Sequence, residues 1–175
     1  MKNMVENNKI SVNLMRTSAT WRAARIAIFT ALSVIGSFIK PPSPIPSVAF
    51  DSAAGFFVAL YFGAFEGAVV SGIGHIATAA VSGFPYGILH IPIALGMALA
   101  GGAIGIVNRM SKKWGFIPAI IVGVIINTAL VFPIAPWIGG WLVALGLVPF
   151  LLLAASLNAI VAALVYVALR GKLRV

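Results

Sequence analysis

The sequence has no cysteine, three acidic residues and little charge of any kind. Without cysteine there is no disulfide, no thiolate nucleophile and no Cys-ligated metal, and the redox compartment stays open. The acids Glu6, Asp51 and Glu66 lie far apart, so no carboxylate pair exists for acid–base work. Charged residues make up 9% of the 175 and hydrophobic ones 61%. A soluble domain carries about 25% charged and about 45–50% apolar residues. A chain this apolar cannot cover a soluble surface. A soluble enzyme, a DNA-binding protein and a disordered chain are disfavoured together. The first twenty residues also lack an apolar core, so no cleaved secretory signal is expected.

What is present is a series of long apolar tracts. At about 20 residues per helical crossing, the chain has room for six or seven spans and no separate soluble domain. Its 18 glycines and 10 prolines do not argue against helix, because membrane helices tolerate both. The net charge of +9 reflects 12 Lys and Arg, and these sit at the ends of apolar tracts. They therefore set orientation rather than bind nucleic acid. The clusters are Lys2, Lys9, Arg16, Arg22 and Arg25; Arg109, Lys112 and Lys113; and Arg170, Lys172 and Arg174. Only Lys40 stands apart. With all three clusters cytoplasmic, the crossings can be counted. One span, about 22–39, leads out; three fit in 49–108; two, about 115–134 and 149–170, follow Lys113. The expected fold is an all-α integral membrane protein with six transmembrane helices and both termini cytoplasmic. A tail, 1–21, precedes one membrane domain, 22–170, and a short tail, 171–175, follows. Its short loops suit a bacterial plasma-membrane protein. A turn is expected at Gly63-Ala64-Phe65-Glu66-Gly67, ending a short second helix of about 49–63. Outer loops are expected at 40–48, a proline-dense extended strap, at about 83–87 and at about 135–148. No internal repeat of the inverted transporter kind is visible.

Polar residues within membrane spans are rare and tend to be functional. Here they are His75 near the middle of the third span, His90 at the outer end of the fourth, and Asn127 and Asn158 in the outer halves of the fifth and sixth. Phe84, Tyr86, Phe132, Trp137 and Trp141 lie at the same level. The substrate-binding set expected from this convergence is His75, Phe84, Tyr86, His90, Asn127, Trp137 and Asn158, around an apolar-walled pocket with a few polar anchors. Each has a structural alternative. The tryptophans also suit an interfacial belt, and the asparagines suit interhelical hydrogen bonding. Asp51 is expected to cap the second helix, and Glu66 is expected to be structural or at a partner contact. No catalytic set, no phosphate-binding Gly-Lys loop and no standard metal-ligand spacing is found, so neither an enzyme nor a metal site is expected. On the first helix, Ala23, Ala27 and Ala31 share one face. Small residues at that spacing serve either internal packing or a partner helix.

Taken together, six helices, an outward polar–aromatic site, the Ala23/Ala27/Ala31 strip and the Gly63–Gly67 turn resemble the substrate-binding S component of an energy-coupling factor (ECF) vitamin transporter. The resemblance runs from Trp21 to Arg170. It implies that the alanine strip docks on a membrane coupling (T) protein. It also implies that two cytosolic ATPase subunits hydrolyse ATP, with no cofactor in this chain. The runs Phe50-Asp51-Ser52-Ala53-Ala54-Gly55-Phe56-Phe57 and Gly72-Ile73-Gly74-His75 are similar to those of S components assigned to α-ribazole, a nucleoside precursor of cobalamin. Thiamine-related, riboflavin-type and queuosine-precursor ligands stay open, as does a stand-alone secondary transporter.

Overall fold

A computed structural model of the protein describes residues 19–40, 43–44, 48–111 and 113–170. The described chain is helical without a β-strand. It runs through α1 (Ala19–Gly36), α2 (Ser52–Tyr61), α3 (Ala64–Val81), α4 (His90–Arg109), α5 (Phe116–Ala129), the single turn α6 (Val131–Ile134) and α7 (Trp141–Leu169). Short 3-10 turns precede α4 and follow α6. Six helices are thus present among the described residues beside the single turn. Among the described residues, four stretches, 64–81, 87–109, 116–137 and 141–169, are long and apolar enough to cross a membrane. α2 has only 10 residues, and α1 carries Arg22 and Arg25 near its start.

α2 is apolar all round, and a helix of that kind belongs inside a bundle. It is the central post: Gly55 through Leu60 are all buried, and α1, α3, α4, α5 and α7 surround it. Its neighbours approach closely because the contact residues are small. A side chain at Gly67 would collide with Ala59 of α2, one at Gly101 with the Gly67 carbonyl and Ser71, and one at Gly105 with Ala64. Gly101 and Gly105 are four apart on α4, the spacing that lets membrane helices pack backbone to backbone. The alanine strip does not serve this purpose. Ala23, Ala27 and Ala31 all face outward, beside the exposed Ile28, Leu32 and Ile35.

Several boundaries differ from those read in the sequence. The turn after α2 is confined to Phe62 and Gly63, so Glu66 and Gly67 belong to the first turns of α3. The fifth tract breaks at Leu130 and continues as α6, which contains Pro133. The expected outer loop 135–148 is mostly helix. α7 starts at Trp141 and continues through Pro149, because a proline missing one ladder bond is tolerated in an apolar helix. α3 ends in a Schellman motif: Phe84 N–H bonds Ala79 O at 2.7 Å and Gly83 N–H bonds Ala80 O at 3.1 Å, with Gly83 at φ +76°.

Apart from Lys40, the described basic residues gather at one end. Arg25 grips Glu66 through two bonds, Nε to Oε2 at 2.8 Å and Nη2 to Oε1 at 2.6 Å, and Arg22 approaches the same carboxylate at 3.6 Å. Arg109 lies against Gly63, and Arg170 donates to the Lys113 carbonyl at 3.0 Å. The starts of α1 and α3 and the ends of α4 and α7 therefore share this end. Lys2, Lys9, Arg16, Lys112, Lys172 and Arg174, with most of the strap, residues 1–18 of the first tail and the whole of the second, lie outside the described residues.

Candidate functional site: a cavity above the short central helix

Ten helical residues span about 15 Å, half the hydrocarbon thickness of about 30 Å. α2 fills the basic-end half of the bundle with Phe56, Phe57 and their neighbours. Beyond its N-terminus the centre is left open, and a cavity of about 90 Å³ occupies that space. By that measure a single water needs about 10–15 Å³. The polar groups around it are Asp51, Ser52, His75, Tyr86, Asn127 and Asn158, and among the described residues no Lys or Arg lines it. Ile93 and Met97 of α4, Leu130 after α5 and Leu151 of α7 supply apolar wall.

The seven residues expected to bind substrate divide into three groups. His75, Tyr86, Asn127 and Asn158 line the cavity. They come from α3, the α3–α4 loop, α5 and α7, so four elements distant in sequence do meet. His90 and Phe84 stand one layer back. The His90 ring is 1% exposed, with Nδ1 3.1 Å from His75 Nε2. Phe84 packs edge-on against it at 5.8 Å. Phe84 has φ +51°, a rare state for a bulky residue. Trp137 does not reach the cavity. It is 69% exposed, because the chain turns over after α6 and carries its side chain outward.

The four lining residues are not equivalent. Asn158 is fully engaged: Oδ1 accepts from Ala53 N–H at 2.8 Å, and Nδ2 donates to Ala49 O at 3.0 Å and Ala154 O at 2.9 Å. It ties α7 to the start of α2, which matches its reading as interhelical hydrogen-bond glue. Asn127 makes no side-chain hydrogen bond among the described residues, so its carboxamide is free to both donate and accept. Tyr86 sits in the loop, its ring 5.8 Å from His90, and burial pushes its phenol above the ordinary value.

Asp51 corrects an expectation. It stands at the N-cap position of α2, but its carboxylate makes no capping bond. Instead it is buried in the cavity wall, taking the Ser52 hydroxyl at 3.1 Å, and no cation pairs with it among the described residues. The sequence carried a signal for this, since it is the one acid at that end of an acid-poor chain. Val131 and Ile134 of α6, also in the wall, had no such signal. No group of three or more metal-ligating side chains occurs among the described residues.

The chain matches the family model for ECF transporter, substrate-specific component, over residues 22–166. No curated protein and no solved structure matches it at a significant level.

Proposed function

The chain belongs to the ECF transporter substrate-specific component family, and within that family we propose that it captures α-ribazole in the cavity above α2. It is a multi-pass membrane protein, the substrate-binding subunit of an importer, and not an enzyme. Membership also implies association with a T protein and ATPases. The details are proposals: two cytosolic ATPase subunits hydrolyse the ATP, the Ala23/Ala27/Ala31 face meets the T protein, the basic end is cytoplasmic, and the membrane is a bacterial plasma membrane.

One observation carries the ligand reading: among the described residues the polar wall offers Asp51, His75 and Asn127 but no Lys or Arg. A ligand with a carboxylate or phosphate would enter without a cation to meet it, and an unpaired buried charge is costly. A neutral heterocycle bearing hydroxyls suits the wall. Tyr86 offers a ring for stacking, and Asn127 and Asp51 offer partners for hydroxyl groups. Isothermal titration of the purified protein with α-ribazole tests this directly. Asn127→Ala should weaken binding roughly 5- to 150-fold, the effect of losing a buried hydrogen bond worth about 1–3 kcal/mol, with membrane expression near normal. No heat with the parent protein sinks the ligand, and thiamine, riboflavin and queuosine precursors then become the next titrants.

A further inference from the structure

Three hydrogen-bonding groups in series determine which proton His75 can hold. The Tyr86 main-chain N–H donates to His90 Nε2 at 3.4 Å. That nitrogen must be bare, because two facing N–H groups would repel. A ring with Nε2 bare carries its one proton on Nδ1. His90 Nδ1 lies 3.1 Å from His75 Nε2, so Nδ1–H donates there and His75 Nε2 is bare in turn. The His75 proton is then on Nδ1. That nitrogen has no partner among the described residues and is not among the buried unpaired atoms, while His75 forms part of the cavity wall.

We propose that His90 is a positioning residue that fixes His75 as a hydrogen-bond donor toward the cavity, so that the site selects a ligand with an acceptor heteroatom at that point. His90 is well placed for this role. It is fully enclosed, with the Phe84 and Tyr86 rings each 5.8 Å away. The loop backbone thereby sets the hydrogen-bonding sense of a wall residue two steps removed. Asp51, an acceptor in the same wall, gives the cavity opposite polarity at a second point. The complementary ligand pairs a bare ring nitrogen or carbonyl with a donor such as a hydroxyl. The donor assignment rests on the bond chain alone, and its ligand consequence rests on the α-ribazole reading.

Long-range proton–nitrogen correlation spectra of the full chain, labelled with ¹⁵N-histidine, report the tautomer of each ring. Both histidines should show the Nδ1–H pattern. An Nε2–H pattern at His75 overturns the proposal. The second arm compares α-ribazole with its analogue in which the unsubstituted ring nitrogen is replaced by CH. The parent protein should prefer α-ribazole roughly 5- to 150-fold, and His90→Phe, which keeps the ring packing, should lose most of that preference. A preference unchanged in His90→Phe overturns the positioning role. If the parent shows the Nδ1–H pattern but binds neither compound, the α-ribazole reading fails while the donor assignment stands.

Discussion

Asn127 and Asn158 look alike in the sequence, each a lone carboxamide in an apolar span. Tertiary contacts separate them. Asn158 satisfies two backbone groups at the start of α2 and one a turn back on its own helix, and Asn127 satisfies none among the described residues. Their substitutions should therefore differ in kind. Asn158→Ala leaves buried backbone groups unpaired at about 1–3 kcal/mol, which should lower the melting temperature by roughly 2–12 °C for a chain of this size. Asn127→Ala should leave it nearly unchanged. Thermal unfolding of the two variants in the same detergent separates the roles, and equal losses would mean that Asn127 is structural as well. The Arg25–Glu66 clamp belongs to the same scale. Glu66 is buried at 6% exposure, so Arg25→Met removes the main partner of a buried carboxylate. Breaking such a pair costs about 3–5 kcal/mol, and the variant should accumulate poorly in the membrane. Glu66→Gln introduced alongside Arg25→Met should restore part of that yield.

Among the helices, small residues play two distinct roles. Gly67, Gly101 and Gly105 stand where α2, α3 and α4 pack most tightly, and the outward Ala23, Ala27 and Ala31 are free of internal contacts of that kind. Gly101→Leu should prevent the bundle from closing and abolish monodisperse protein on size exclusion. Ala27→Trp should leave folding and ligand titration intact, because its side chain points away from the bundle. Uptake by the whole transporter should be lost with it if a partner helix docks on that strip. Loss of titration together with uptake would sink the docking reading.

At the scale of the whole molecule, the charges of α1, α3, α4 and α7 meet at one end and the cavity opens at the other. That geometry is independent of any membrane, and charge bias supplies the orientation. With the basic end cytoplasmic, a cysteine placed at Ser43 should react with an impermeant thiol reagent on intact cells and one at Ser111 should not. The native chain has no cysteine to interfere. Labelling of both positions from one side would overturn the six-span count.

Composition determined that this is a chain made for lipid, because 9% charge cannot clothe a soluble surface, and the length of its apolar tracts determined that it is helical. The ends of its apolar tracts placed the basic clusters together, and the rarity of polar residues in those tracts drew attention to His75, Asn127 and Asn158. Helix rotation and the last turn of each element were beyond it. Hydrophobicity on every face of α2 and α7 leaves no periodic signal to orient them. A proline such as Pro149 reads as a stop where the packed bundle lets the helix run on. For the same reason, only tertiary structure decided that Asp51 faces the cavity instead of capping α2, that His90 stands behind His75, and that Trp137 turns away. Each of these depends on which side of a uniformly apolar helix meets its neighbours, and that is settled by the fit of small residues such as Gly67 and Gly101 across the interface, not by the hydrophobicity of either helix alone.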